Sequence, residues 1–315
     1  MYSNSLDHPV TARGSNSSID DLITLRDWWR YGVSRFNRAK LTYGHGTINA
    51  TDEAAFLILS ALDLPIDMLE PWLDCRLTQA ERQTVSDLIE QRILTRKPAS
   101  YLTNSAWIQG RRFYIDERVI VPRSFIGELL CQDGLASAVG YPIDVARVLE
   151  LCTGSGCLAI LAADAFPEAH IDATDLSADA LDVARRNIAD YGYNNRISVL
   201  TSDLFNDVPA AAYDLIIANP PYVPADAVAN FPPEYKAEPE MAHLGGVDGL
   251  DLVHRILKAA PRYLAPHGAL IVEIGQARDA LETARPDLPF LWLDTETSEG
   301  EVFVLQAADF GRTGG

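Results

Sequence analysis

The segment "LELCTGSGCLAI", residues 149–160, decides the fold of this chain. A short apolar run ends at Leu151, glycines follow at Gly154 and Gly156, and a second apolar run begins at Cys157. Glycine lets the backbone approach a ligand closely, and a helix N-terminus presents free N–H groups. The segment therefore predicts a strand, a ligand-binding loop and a helix in succession.

The loop alone does not identify its ligand. It reads Gly154-x-Gly156 rather than the dinucleotide fingerprint G-x-G-x-x-G, but Ala159 falls where a looser form of that fingerprint accepts alanine. A nicotinamide dinucleotide is therefore still compatible with the loop. Cys152 and Cys157 raise the alternative of a metal or redox pair, but the other cysteines and the histidines show no ligand spacing. We therefore interpret Cys152 as a small loop residue and Cys157 as a small apolar residue on the packed face of the helix, and we predict no metal.

The sequence around the loop alternates strand-like and helical stretches. Such alternation predicts a parallel sheet covered by helices on both faces. The last two apolar runs, "FLWLDT" and "EVFVLQ", are separated only by "ETSEG", which is too short for a parallel crossover. The prediction for residues 124–315 is the α/β, Rossmann-like fold of the class I methyltransferases, with a seven-stranded sheet whose last strand is antiparallel. The earlier strand-like runs are "RVLEL", "HIDATD", "ISVLTSD", "YDLIIAN" and "ALIVEI".

The first part of the chain has a different pattern. Residues 18–97 repeat apolar positions at helical spacing and predict a small helical domain, with a Ser cap opening "SSIDDLITLRDWW" and a Thr or Asp cap opening "TDEAAFLILSAL". Residues 98–123 are aromatic and β-branched, and Gly110 marks a turn, so a β-hairpin linker is expected there. The polar residues 1–17 are expected to form a flexible tail.

Composition limits the classes of function. The 315 residues, 48% of them hydrophobic, can build about two domain cores. The chain has no apolar run long enough to span a membrane and no N-terminal signal segment, and its four cysteines do not make a disulfide framework, so a cytoplasmic protein is expected. The net charge of −18, from 44 acidic and 26 basic residues, argues against nonspecific nucleic-acid binding and suits a basic partner.

Three carboxylates close successive strands of the predicted sheet. Glu150 precedes the loop, Asp175 ends "HIDATD", and Asp203 ends "ISVLTSD". A carboxylate at Glu150 would repel a pyrophosphate but favours a ligand with a positive centre. Asp175 is placed to accept both ribose hydroxyls, and Asp203 to accept the adenine amino group, with Leu204 beside the ring. Together the acids predict S-adenosylmethionine (SAM) as the cofactor.

The motif Asn219-Pro220-Pro221-Tyr222 follows the fourth strand-like run. Its prolines cannot continue a sheet ladder, so the chain leaves the sheet at the edge where doubly wound folds bind ligands. The Asn219 side-chain oxygen and the Pro220 carbonyl can accept the two hydrogens of a planar –NH2 group, on which Tyr222 can stack. Catalysis would then rest on positioning and polarisation, without a strong general base. A glutamine amide, an adenine and a guanine all present such a group.

The chain resembles the protein-(glutamine-N5) methyltransferases over nearly its whole length after the tail. The resemblance rests on the helical N-terminal part, "VIVPRS", the glycine loop, "NPPYV", "EPEMAHLGGVDGLDL" and "ALIVEIG". It implies methyl transfer from SAM to a protein glutamine, with S-adenosylhomocysteine as the product. The candidate catalytic residues are Asn219, Pro220 and Tyr222, and the candidate substrate-binding residues are these with Pro221 and Arg123. The candidate cofactor contacts are Glu150, Cys152, Thr153, Gly154, Ser155, Gly156, Asp175, Asp203, Leu204 and Asn219.

Within the family, the chain is most similar to the branch that modifies ribosomal protein L-three of the large subunit. That similarity rests on "VSRFNRAKLTYGHGTINATDEA", "LPIDM", "YLTNSAWIQGRRFYIDERVIVPRS" and "ELCTGSGCLAI", whereas the release-factor branch usually reads Gly-Thr-Gly-Thr-Gly at the loop. It implies a basic ribosomal protein as substrate, free or within an assembly intermediate, bound by the helical domain, where His45 has a structural or docking role. The alternatives are a release factor as substrate, a nucleic-acid amino methyltransferase, and an assembly factor that binds SAM without catalysis.

Overall fold

The computed structural model describes residues 19–132, 145–209 and 211–311 of the chain. The predicted flexible tail, residues 1–17, lies outside these described residues. Within them, no helix has both the length and the apolar character needed to cross a membrane. The described chain begins with a group of helices and continues through a short hairpin into an α/β unit.

The helices of the first part begin at other caps than those predicted. Thr24 caps the first helix, because its hydroxyl accepts from the Asp27 N–H while the Asp27 carboxylate accepts from the Thr24 N–H. Asn49, rather than Thr51 or Asp52, caps the second helix and accepts from the Asp52 N–H. The expected Thr or Asp cap of the second helix is therefore wrong, and the Ser residues expected to cap the first helix lie outside the described residues. The helices are α1 Leu25–Ala39, α2 Ala50–Ala61, α3 Gln79–Thr95 and the short α4 Ala99–Leu102.

The three longer helices share one apolar core. Trp28 and Phe36 of α1, Ile58 of α2 and Ile89 of α3 are buried together. Burying a side chain of this size contributes about 2–3 kcal/mol. The helical periodicity of the sequence is therefore explained by packing around this core.

The predicted hairpin is shorter than residues 98–123. Strands β1 Ala106–Ile108 and β2 Arg111–Phe113 pair antiparallel around a turn at Gln109 and Gly110, which both have positive φ. Helix α4 occupies the start of the predicted range, and no strand follows β2 before helix α5 Phe125–Cys131. Aromatic and β-branched composition therefore overestimated the extent of strand.

The α/β unit has the predicted sheet. Its strands are β3 Arg147–Leu151, β4 His170–Asp175, β5 Ile197–Thr201, β6 Tyr213–Ala218, β7 Leu264–Glu273, β8 Leu291–Leu293 and β9 Val302–Gln306. They are ordered β5-β4-β3-β6-β7-β9-β8, with β3 to β7 parallel and β9 antiparallel to both of its neighbours. The seven-stranded class I methyltransferase fold with an antiparallel last strand is thus confirmed. Its further helices are α6 Cys157–Ala165, α7 Ala178–Asp190, α8 Ala225–Ala229, α9 Asp251–Ala259 and α10 Arg278–Ala284.

The central strands are buried on both faces of the sheet. Val148 and Leu215 pack into the core on one face, and Leu149 and Ile216 pack into the core on the other. All four side chains are at most 1% exposed. This burial explains why the parallel strands read as continuous apolar runs rather than as alternating ones.

The strand order creates a crevice for ligand binding at one edge of the sheet. The chain runs from β3 outward through β4 and β5, and then returns to the other side of β3 at β6. A crevice forms at the carboxyl ends of parallel strands where the order reverses. The residues that end or follow these strands, Cys152, Asp175, Asp203 and Asn219, line one cavity there.

Candidate active site

The cleft at this edge has two lobes that meet at Asn219. The proline lobe is lined by Pro220 and Tyr222, and the acid lobe by Asp175 and Asp203. Ligands in the two lobes would therefore face each other across Asn219. The residues that line both lobes are Ile120, Cys152, Gly154, Asn219, Pro221 and Ala242.

The glycine loop forms part of the wall between the lobes. The φ angles of Cys152, Gly154 and Gly156 are +58°, +53° and +80°, in the left-handed region. A Cβ built on Gly154 meets no atom within 4 Å, so a ligand can approach the backbone there. A Cβ on Gly156 would lie 3.2 Å from the Cα of Ala184. Gly156 therefore allows α6 and α7 to pack closely and lines neither lobe, whereas the other candidate cofactor contacts do.

Glu150 lines the proline lobe at the end of β3. Its side chain is buried, and it accepts a hydrogen bond from the Thr153 hydroxyl. Burial raises the pKa of Glu150 to about 8, and no arginine or lysine among the described residues counters that effect. A buried carboxyl without a cationic partner favours a positively charged ligand. The lobe therefore fits a ligand that carries a sulfonium or ammonium group.

The acid lobe offers fixed carboxylates beside apolar walls. Asp175 accepts from the Gly154 N–H at 2.8 Å with one oxygen and from the Ser177 N–H at 2.9 Å with the other. Asp203 is partly exposed and accepts from the Arg255 guanidinium at 2.8 Å. Leu204 is buried beside it. Oriented carboxylate acceptors next to apolar side chains suit a nucleoside with free hydroxyls and an amino group.

Asn219 is held by its donor end. Its side-chain N–H2 donates to the main-chain carbonyl of Arg123 at 3.4 Å. The side-chain oxygen is then the acceptor that this residue offers, at the junction of the lobes. Pro220 and Pro221 carry no N–H, so the motif presents acceptors to a planar –NH2 group.

Tyr222 is held by the end of β7. Its hydroxyl lies 3.5 Å from one oxygen of Glu273, and the other oxygen accepts from the Ser124 hydroxyl at 2.6 Å. Its ring packs over Gly275, where a Cβ would lie 2.7 Å from ring carbon Cε2. Burial and the nearby Glu273 raise the pKa of Tyr222 above its ordinary value, and burial raises the pKa of Glu273 to about 7. The phenol is therefore neutral at physiological pH and offers a ring face rather than a base.

Arg123 borders the proline lobe and also has a partner within the chain. Its Nη1 and Nη2 donate to the two carboxylate oxygens of Glu238 at 3.0 and 2.8 Å. The sequence did not predict this ion pair. Arg123 therefore borders the site with a guanidinium that is paired with Glu238, and its main-chain carbonyl accepts from Asn219.

Sequence reasoning missed a segment that walls the proline lobe. Residues 231–243, which we call the strap, contribute Phe231, Tyr235 and His243 to the lining. The strap forms only short 3-10 turns, so it has no helical or strand periodicity. Its signal in the sequence is the density of prolines and acids in "FPPEYKAEPEMAH", which is typical of a long functional loop.

The cysteines of the loop are protonated thiols. Burial raises the pKa of Cys152 and of Cys157 above the ordinary thiol value. Metal binding and redox chemistry require a thiolate. Among residues 19–132, 145–209 and 211–311, no group of three or more His, Cys, Asp or Glu side chains could hold a metal ion.

The chain is similar to known methyltransferases. The family model described as "Methyltransferase small domain" matches residues 135–231. A protein of Bradyrhizobium diazoefficiens named ribosomal protein uL3 glutamine methyltransferase is 55% identical, over 92% of this chain and 92% of that protein. Proteins with the same name from Bordetella pertussis and Neisseria gonorrhoeae are each 53% identical over 92% of this chain, covering 97% and 96% of their own lengths.

Proposed function

Since the chain belongs to the family of the ribosomal protein uL3 glutamine methyltransferases, we propose that it methylates the side-chain amide nitrogen of a glutamine in uL3. The enzyme is a SAM-dependent methyltransferase. The observation that carries the proposal is the two-lobed cleft whose lobes meet at Asn219. The acid lobe suits a nucleoside, and the proline lobe suits both a cationic group beside Glu150 and a planar amide beside Asn219, so the donor and the acceptor meet at the junction.

The proposed cofactor contacts follow the two lobes. SAM, when bound, supplies an electrophilic methyl group on a sulfonium and leaves as S-adenosylhomocysteine. Asp175 accepts the ribose hydroxyls, while Asp203 and Leu204 contact the adenine. Glu150 is 1% exposed, and its ionised carboxylate stabilises the positively charged end of the ligand. The open space at Gly154 gives the ligand access to the loop backbone.

The proposed acceptor site positions the glutamine amide. The Asn219 side-chain oxygen and the Pro220 carbonyl accept its two hydrogens, and the Tyr222 ring stacks on its plane. Holding both hydrogens directs the remaining density on nitrogen towards the junction of the lobes. After the transfer the cationic nitrogen loses its extra proton to solvent water, so no general base is required. The neutral Tyr222 phenol therefore serves only to stack on the amide. Catalysis therefore consists of positioning and polarisation.

The substrate is proposed to bind through the helical domain, residues 18–97, with residues 98–123 as the linker. The net charge of −18 supports a basic ribosomal protein as partner, because opposite charges steer association. An assembly intermediate that contains uL3 is a further candidate form of the substrate. Such a substrate would place the reaction in the cytoplasm.

Labelled SAM tests the proposed function directly. The purified protein is incubated with labelled SAM and purified uL3, and the modified residue is located by mass spectrometry. We expect one methylated glutamine. Label in nucleic acid, or no label in any protein, would contradict the proposal.

An Asn219→Ala variant separates catalysis from mere SAM binding. We expect kcat to fall by about a hundredfold or more, since an oriented acceptor is lost, while the fold survives. Methylation that persists at the normal rate would exclude Asn219 from the acceptor site. A competition between uL3 and a release factor tests the second candidate substrate, because the preferred one is methylated first.

A further inference from the structure

Glu238 is a buried carboxylate that the methyl-transfer chemistry does not use. Its side chain, on the strap, has 0% exposure. It accepts from the Val121 N–H at 2.9 Å and from both terminal nitrogens of Arg123. The Nε2 atoms of His243 and His45 lie 2.9 and 3.5 Å from one of its oxygens. One carboxylate thus contacts the segment that follows β2, the strap and the helical domain.

The partners of Glu238 hold both ends of the NPPY motif. At the first end, the Arg123 carbonyl accepts from the Asn219 side chain at 3.4 Å. At the other end, the His243 carbonyl accepts from the Val223 N–H at 2.8 Å, directly after Tyr222. Each chain of contacts from Glu238 to the motif therefore passes through only one residue.

We propose that Glu238 is a positioning residue for methyl transfer, which fixes the acceptor motif through Arg123 and His243. The inference rests on the proposed function, because it assigns Asn219 and Tyr222 to the acceptor site. Glu238 touches neither the substrate nor the cofactor in this assignment. It acts by setting where the Asn219 oxygen and the Tyr222 ring lie.

The charge of Glu238 is part of this role. Burial alone would raise its pKa, but His243, His45 and Arg123 lower it below the ordinary glutamate value. The carboxylate is therefore ionised at physiological pH. A glutamine at this position keeps the shape but has one acceptor oxygen, so it cannot serve the Val121 N–H and both Arg123 nitrogens as before.

Glu234 supplies a matched control on the same strap. It is also buried, and it accepts from the Thr42 N–H at 3.0 Å and pairs with Arg96 at 2.9 Å. The partners of its side chain belong to the helical part of the chain, and none of its side-chain contacts among the described residues reaches Arg123 or His243. The variants Glu238→Gln and Glu234→Gln therefore each remove one negative charge from the strap. Only Glu238→Gln changes the contacts with Arg123 and His243.

The first experiment compares kcat, the KM for uL3, the SAM dissociation constant and the thermal midpoint of both variants. For Glu238→Gln we expect kcat to fall by about ten- to a hundredfold, with SAM affinity within about threefold of wild type, because a small displacement of reacting groups has this cost. For Glu234→Gln we expect a lower thermal midpoint and kcat within about threefold of wild type. Equal losses of kcat in the two variants, or no loss in Glu238→Gln, would overturn the inference.

A structural readout keeps the inference separate from the proposed function. In a crystal structure of Glu238→Gln with S-adenosylhomocysteine, we expect Asn219 and Tyr222 to be displaced relative to the wild-type complex. An unmoved motif overturns the inference even if uL3 proves not to be the substrate, whereas absent methylation by the wild type contradicts only the proposed function. If Glu238→Gln does not fold, Glu238→Asp is measured instead. Its shorter carboxylate cannot reach all partners, and the same outcomes are expected.

Discussion

Cys152 occupies a backbone conformation that favours glycine. Its φ of +58° lies in the left-handed region, where a Cβ costs about 1 kcal/mol. The sequence showed a cysteine where such loops usually place their first glycine, and the structure shows the glycine-like backbone retained there. The residue is partly buried and lines both lobes, and its thiol is protonated because burial raises its pKa. A space-filling role is thus favoured over a chemical one.

The Cys152→Gly variant tests that role. We expect the SAM dissociation constant to stay within about threefold of wild type, because glycine adopts this φ without strain. Isothermal titration calorimetry measures the constant, and methylation of uL3 provides the control for activity. A loss of affinity of about tenfold or more would show that the thiol does more than fill space.

Glu150 predicts a pH dependence of SAM binding. A positively charged ligand favours the ionised carboxylate, and the pKa without ligand is about 8. SAM affinity should therefore rise as pH increases through about 8 and level off above it, and binding below that pH should release a proton. Calorimetry at several pH values and in buffers of different ionisation enthalpy measures both effects.

The Glu150→Gln variant is the control for this titration. Its SAM affinity should be weaker at high pH and nearly independent of pH. Since burial raises the pKa of Glu150 in the folded state to about 8, its contribution to stability falls as pH rises from the ordinary glutamate range to about 8 and is lost above that pH. The ligand-free variant should therefore gain stability over wild type above that pH. A flat wild-type binding profile would exclude Glu150 from the cationic site.

At the scale of elements, the sequence located strands better than caps and loops. The runs "RVLEL" and "HIDATD" coincide with β3 and β4, since buried parallel strands leave a continuous apolar signal. The caps Thr24 and Asn49 were missed because several Ser, Thr, Asp and Asn residues stand near each helix start and only the backbone decides among them. The strap was missed as a wall of the site because its contacts are long-range. Its Glu234 meets Thr42, and nothing local in the sequence encodes that pairing.

Gly275, which follows β7, allows a test of the proposed acceptor site. Gly275 has φ +55° and lies under the Tyr222 ring, so Gly275→Ala introduces both backbone strain and a contact of 2.7 Å. We expect kcat to fall by about tenfold or more, with SAM affinity nearly unchanged, because the ring must move. Gly110→Ala is the matched control, since this hairpin glycine also has positive φ but open space around its Cβ. Equal kinetic effects in the two variants would contradict the prediction.

At the scale of the whole molecule, the helical part and the α/β unit are joined by buried charges. Arg92 is fully buried, donates to Glu53 at 2.6 Å and to the Thr42 carbonyl at 3.1 Å, and lies 3.9 Å from Glu234 of the strap. Removing one member of such a network leaves another charge buried and unpaired, which costs several kcal/mol. We therefore expect the helical part and the α/β unit to keep the same relative position during catalysis.

The net charge of −18 predicts a salt dependence that differs between the two substrates. Raising NaCl from about 50 to about 300 mM should raise the KM for uL3 several-fold, because screening weakens steering of a basic partner. The KM for SAM should change less than about twofold, since its contacts lie inside the cleft. Steady-state assays with each substrate varied in turn measure both constants. Equal sensitivity would indicate that the acidic surface does not contribute to substrate binding.

The junction at Asn219 also constrains the order of events in a turnover. Because the lobes share this wall, and the Cys152 thiol that also lines both lobes is protonated, we expect the methyl group to pass directly from donor to acceptor. Donor and acceptor must be present at the same moment, so reciprocal initial-rate plots should give intersecting rather than parallel lines.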